Sequence, residues 1–157
     1  MTLIARPSTE ADLPALADVF NDIVRSGGTT AHEEVWDVAT FKTYYFDDPV
    51  MVHTVLHDDQ PIGFQAVFER ADGLSIGSFT DQRTPVRGAG GVIFAATRDW
   101  ATAQGYKWID AKIRADNVPG LAYYSKMGFE DFKVDSSVPL LDGTPMDRVT
   151  KRLLLDS

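Results

Sequence analysis

The chain has 157 residues, 44% hydrophobic and 24% charged, which suits one compact domain over 1–157 with a sizeable core. It has no cysteine, and this excludes disulfide staples, thiolate metal sites and a cysteine nucleophile. A formal charge of −8 repels nucleic-acid phosphates and anionic lipid, no apolar run is long enough for a bilayer, and no export signal is visible. The expectation is a cytoplasmic protein with no nucleic-acid or membrane partner and with a cationic or neutral small substrate.

In chain order, Leu3 to Arg6 reads as a short strand, and Thr9 with Asp12 forms a capping box before a helix. Leu13, Leu16, Ala17, Phe20, Ile23 and Val24 make one apolar face of that helix, which should stop near Gly27 and Gly28. An aromatic-rich stretch from Thr29 to Phe46 reads as irregular and then helical. Met51 to Leu56 and Ile62 to Glu69 form a hairpin, and a turn at Ala71-Asp72-Gly73 leads to a third antiparallel strand, Leu74 to Thr80.

The pattern then changes. Thr84 to Gly91 is a glycine-rich turn that runs into a helix over Val92 to Gln104, with Ile93, Ala96, Trp100 and Ala103 on one face and Gly105 as its stop. Trp108 to Arg114 alternates as a strand. A short helix follows Asp116-Asn117, with Pro119 in its first turn and its end at Met127-Gly128. Phe129 to Val134 and Arg148 to Leu154 close the chain as two strands. This order predicts a three-layer arrangement around a mixed sheet.

A strand, a turn of small residues and a helix together suit a pyrophosphate, because the first helical N–H groups lack partners and glycine admits the anion to the main chain. Gly88, Gly90 and Gly91 fit that role, although they could equally make only a tight turn, and Arg87 can add a charged contact. Val92 and Ile93 follow Gly91 where a P-loop needs Lys-Ser or Lys-Thr, and Ile93 stands where a dinucleotide fingerprint needs Gly or Ala.

Here the sequence resembles the GNAT superfamily, whose central motif Q/R-x-x-G-x-G/A falls on Pro85-Val86-Arg87-Gly88-Ala89-Gly90. The similarity continues through Asp99-Trp100-Ala101 and Gly105-Tyr106-Lys107. It also takes in Ala115 to Phe129, which is similar to the family's N-x-P-A-x-x-L-Y-x-K-x-G-F segment, and the opening Ile4 to Leu13. Only residues 26 to 50 fall outside it. Pro85 stands where the family carries Gln or Arg, so one side-chain contact to the cofactor is lost there.

The resemblance implies an α/β (α+β) fold, with a mixed, mostly antiparallel sheet of about seven strands flanked by helices on both faces. It implies an acetyl-CoA-dependent N-acetyltransferase, with acetyl-CoA as co-substrate and a small-molecule primary amine as acceptor. The cofactor-binding set it implies is Phe79, Thr80, Arg87, Gly88, Ala89, Gly90, Gly91, Asn117 and Tyr124. Tyr124 is the implied general acid, though packing of its helix is the alternative, and Asn117 could also serve as a helix cap.

For the base, Asp81 stands first, with Glu34 and Glu69 behind it and a base acting through water as an alternative. His32, His53 and His57 are set aside as bases and as metal ligands, and no metal is expected. The aromatics between Gly27 and Phe46 read as core or as the cover of the acceptor pocket. A homodimer is common among relatives. Two other functions stay open: a non-catalytic acyl-CoA sensor, and an acetyltransferase acting on protein N-termini or lysines.

Overall fold

The computed structural model describes residues 2–27 and 30–155. Seven strands form one sheet in the order β1-β2-β3-β4-β5-β7-β6. They are β1 (Leu3–Pro7), β2 (Met51–His57), β3 (Gln60–Arg70), β4 (Gly73–Thr80), β5 (Trp108–Arg114), β6 (Glu130–Pro139) and β7 (Pro145–Leu154). The helices are α1 (Leu13–Ser26), α2 (Val38–Lys42), α3 (Ala89–Ala103) and α4 (Val118–Lys126). Every strand pair is antiparallel except β4 with β5. The fold class and the order of elements agree with the sequence reading.

The apolar face of α1 is buried as its spacing demands, with Leu13, Leu16, Ala17, Phe20, Ile23 and Val24 all inside. Gly27 ends the helix at a φ of 71°, where its N–H reaches the carbonyls of Ile23 and Val24; Gly28 and Thr29 lie outside the described residues. After α2, residues Thr43–Asp47 widen into a π-helical turn that carries Tyr44 and Tyr45. Phe20, fully buried, is the hub of an aromatic cluster with Trp36, Phe41, Tyr45 and Phe79. Within residues 30 to 46, Phe41 and Tyr45 belong to the core and Trp36 and Phe46 pack against it, while most of the other residues are exposed.

Three boundaries differ from the expectation. Helix α3 begins at Ala89 rather than Val92, so two of the glycines lie in its first turn. Its buried ridge is Ala89, Ile93, Thr97 and Ala101, with Phe94 beside it, whereas Ala103 is exposed. Thr97 can take an inner position because its hydroxyl donates to the Ile93 carbonyl, 3.3 Å away. Strands β6 and β7 run longer than expected because they form a hairpin of two ten-residue strands around the Leu141 to Thr144 turn.

The paired end of β4 and β5 is clamped. Trp108 packs on Gly73 so closely that a Cβ there would lie 2.0 Å from its ring, and its Nε1 donates to Asp72 at 3.0 Å. Arg152 lies over the indole, 4.1 Å from the ring centroid, and forks onto Asp110 at 2.7 and 2.9 Å.

Asp12 fastens α1 to the sheet. Its carboxylate accepts from Arg6 at 2.7 and 2.9 Å, from the Thr9 N–H at 2.9 Å and from the Thr54 hydroxyl at 3.1 Å. The Thr9 bond is one arm of the expected capping box. Asp12 is only 4% exposed, and the Arg6 guanidinium, helped by the Thr9 and Thr54 bonds, holds its pKa down at about 2. A carboxylate depressed in this way stabilises the fold above its unfolded pKa, and the contribution fades as pH falls from about 4 towards 2. Asp12→Asn should therefore cost about 2 kcal/mol in urea denaturation at pH 7. Its difference from wild type should shrink steadily below pH 4, and a gap that stayed constant down to pH 2 would contradict this account.

Candidate active site

Strands β4 and β5 pair at only three positions, Leu74 with Ile109, Ser75 with Asp110 and Ile76 with Ala111. Beyond Ile76 they part, and β4 continues through Thr80 bonded only to β3. The divergence opens a cleft of about 540 Å³ that runs from Gly90, Asn117 and Gly120 to Tyr44, Phe68 and Arg70. It leaves one edge of the segment Gly77 to Thr80 without a strand partner, so main-chain groups are free to meet a ligand.

One end of the cleft is built by the N-termini of α3 and α4. Ala89 N–H bonds to Val86 and Val92 N–H to Gly88, while no acceptor in the described residues receives the N–H of Gly88, Gly90 or Gly91. Gly88 takes a φ of 90° and so requires glycine. Gly90 is required for a second reason: a Cβ there would sit 2.7 Å from the Tyr123 ring. Gly91 meets nothing within 4 Å and is open to a ligand. Of the predicted cradle only Gly90 lines the cleft itself, and Arg87 is exposed outside it. At α4 the Asn117 carbonyl oxygen accepts from Gly120 N–H at 3.0 Å, so Asn117 caps the helix while lining the cleft.

A polar network crosses the floor of the cleft. Tyr124, 7% exposed, donates its hydroxyl to Ser78 Oγ at 2.8 Å. Gln65 Nε2 donates to the same Oγ at 2.7 Å and to Tyr123 Oη at 3.2 Å, and Tyr123 donates to the Gly90 carbonyl at 2.8 Å. Burial raises both phenol pKa values, that of Tyr123 to about 12 and that of Tyr124 further, so both stay protonated at neutral pH. Sequence reasoning missed Gln65 and Ser78. The available signal was a glutamine inside the apolar run Phe64-Gln65-Ala66-Val67, where a fully buried amide demands partners.

The other candidates separate. Phe79 and Thr80 line the cleft, and Phe79 stacks on Phe64 at a centroid distance of 5.1 Å. Asp81 does not line it. Its carboxylate is held by the Arg83 backbone and guanidinium, at 2.9 Å from Nε, and Arg83 also reaches Asp18 at 2.8 Å. The Arg83 hydrogen bond keeps the Asp81 pKa low, which suits an ion pair and weakens a base. Glu69 accepts from the Tyr106 hydroxyl, and Glu34 borders a separate 250 Å³ depression. His53 is buried in β2 away from the cleft, whereas His32, set aside from sequence, lies in the cleft wall.

Charge in the cleft also departs from the expectation. Arg70, Lys112 and Arg114 are among its described lining residues and no Asp or Glu is, although the chain has 23 acidic residues against 15 basic ones. Arg114 is bidentate to Asp116 and donates to the Thr30 carbonyl, whereas Arg70 and Lys112 have no carboxylate partner among the described residues. Among the described residues no cluster of three His, Asp or Glu could hold a metal ion, and no helix is long and apolar enough to cross a membrane.

No protein-family model matches the chain, and no curated protein matches it either. Solved structures do. A GNAT superfamily phosphinothricin acetyltransferase from Sinorhizobium meliloti, in complex with acetyl-CoA, is 18% identical, with a TM-score of 0.84 over 99% of this chain and 89% of that one. A ribosomal-protein-alanine N-acetyltransferase from Brucella melitensis is 22% identical, with a TM-score of 0.85 over 97% and 99%. An N-acetyltransferase from Staphylococcus aureus Mu50 is 17% identical, with a TM-score of 0.86 over 99% and 100%. The seven-stranded sheet, split between β4 and β5 and flanked by helices, is the GNAT fold.

Proposed function

We infer that the chain is an acetyl-CoA-dependent N-acyltransferase acting on a small primary amine that also carries an anionic group. The observation that carries this reading is the cleft between β4 and β5, with bare amides of α3 at one end and a buried, protonated Tyr124 on its floor. Acetyl-CoA as co-substrate supplies the acyl group as a thioester. The residues present fit it: free N–H groups at Gly88, Gly90 and Gly91 suit a pyrophosphate, and the unpaired edge of Gly77 to Thr80 suits a pantetheine amide and the acyl oxygen.

Catalysis is then mainly positioning, since an amine attacks a thioester without a protein nucleophile. Tyr124 is the general acid. Its O–H swings from Ser78 Oγ to the departing sulfur, and Gln65 holds Ser78 in place. Ser78 and Gln65 are positioning residues. Asn117, Phe79 and Thr80 border the cofactor arm, and Arg87, exposed on the glycine turn outside the cleft, is its charged group. Arg70 and Lys112 favour a carboxylate or phosphonate on the acceptor, in place of the cationic or neutral substrate expected from net charge.

The decisive assay is coenzyme A thiol release from acetyl-CoA with a panel of α-amino acids, aminophosphonates and plain alkylamines. Turnover should appear with the anionic amines, and the methyl ester of the best amino acid should lose roughly tenfold in kcat/KM. Turnover on none of them, with acetyl-CoA bound, would favour the sensor. Tyr124→Phe should lower kcat about 100-fold while leaving acetyl-CoA affinity unchanged. Gly91→Ala provides a separate check. Alanine suits this helical position and should raise stability by roughly 0.5 to 1 kcal/mol, while its methyl group obstructs the phosphate and weakens acetyl-CoA binding. Higher Tm with unchanged affinity would place the pyrophosphate elsewhere.

A further inference from the structure

We propose that Tyr45 and His32 form the proton-accepting relay of this cleft: Tyr45 takes a proton from the attacking amine as it hands its own phenolic proton to His32 Nε2. The inference rests on the acyltransferase reading and supplies the base that Asp81, tied to Arg83, does not.

The geometry comes first. His32 Nε2 lies 2.6 Å from Tyr45 Oη, and both residues line the cleft. Tyr45 stands beside β4 where the strand has lost its partner: a Cβ on Gly77 would be 3.6 Å from Tyr45 Oη. The next residue, Ser78, receives the Tyr124 hydroxyl. Proposed donor and proposed acceptor of protons thus flank one short segment, Gly77-Ser78, on the splayed edge. His32 is fixed by ring contacts with Phe20, Trp36, Tyr44 and Phe79 at centroid distances of 5.3, 5.1, 5.4 and 6.3 Å.

The tautomer follows from hydrogen-bond accounting. Tyr45 is 3% exposed, and His32 Nε2 is its only partner among the described residues, so its buried O–H must donate there. Nε2 then carries the lone pair and Nδ1 the hydrogen. Burial, with a smaller contribution from Arg148 on β7, lowers the His32 pKa, so the ring is neutral and able to accept a proton at neutral pH. Tyr44 and Tyr45 face it from the π-helical turn, and Glu33 and Glu34 follow it in the chain. Arg114 on β5 reaches the Thr30 carbonyl, while the Thr30 hydroxyl accepts from the backbone N–H of His32. Burial also raises the Tyr45 pKa, so the phenol passes a proton through without remaining ionised.

The step balances. The acceptor attacks as the free amine, its ammonium proton already lost to solvent; as the C–N bond forms, one remaining N–H proton becomes acidic and moves to Tyr45 Oη while the phenolic proton moves to Nε2. The C–S bond breaks, and the sulfur takes its proton from Tyr124. His32, now an imidazolium, returns its proton to solvent, and Tyr124 is reprotonated from solvent.

Three measurements on the full chain test the relay. In 15N NMR of the imidazole, wild type should show hydrogen on Nδ1 and a pKa below the usual value of about 6.5. With the fastest amine of the panel, kcat should fall on the acid side as His32 protonates. His32→Gln should lower kcat about 100-fold and abolish that acid limb, with acetyl-CoA affinity by calorimetry unchanged. Tyr45→Phe, which keeps the ring packing, should lower kcat to a similar degree. Hydrogen on Nε2, or kcat within threefold of wild type in either variant with the acid limb intact, overturns the relay alone. Failure of wild type to bind acetyl-CoA overturns the acyltransferase reading and the relay with it.

Discussion

Everything in the candidate site depends on the loss of hydrogen bonding between β4 and β5 after Ile76 and Ala111. A continuous ladder there would bury the edge of Gly77 to Thr80 and leave no space between the strands. Parting the strands exposes backbone polar groups inside a folded sheet, which is unfavourable unless water or a ligand satisfies them. The same stretch of β4 carries Ser78 and Phe79 and is bordered by Gly77, where Tyr45 approaches. The cleft thus gathers a phenol from α4, a phenol from the π-helical turn and the N-terminus of α3 around one segment of backbone.

Support for that segment comes from both faces of the sheet. On one side Phe20, Phe41, Tyr45, Phe64 and Phe79 form a continuous aromatic core. On the other, α3 and α4 meet where Tyr123 rests on Gly90. The glycines of the α3 turn therefore differ in purpose. Gly88 supplies a left-handed turn, Gly90 makes room for a ring, and Gly91 leaves open space.

Much of the fold was legible because its signals are local. Alternation marked the strands, 3.6-residue spacing marked α1, and Asn117 with Pro119 marked the start of α4. The ridge of α3 was misread because Thr97 counts as polar in a pattern but is satisfied by its own helix. The places of Gly90, Asn117 and Tyr124 in the cleft wall were legible through resemblance to a long ordered motif. His32 and Tyr45 were not, since their contact spans thirteen residues across a turn whose π-helical widening has no sequence mark. Asp81 was overvalued because nearness to a strand end says nothing about a neighbouring arginine.

The clamp at the paired end of β4 and β5, where Trp108 fills the space over Gly73 and Arg152 covers its ring, bears on how a ligand gets in. It anchors the two strands at the apex of their divergence, so the gap exists before anything enters it. A long, thin ligand can thread in from the side without peeling a strand away. The cost of shaping the passage is met during folding of the protein rather than at each encounter.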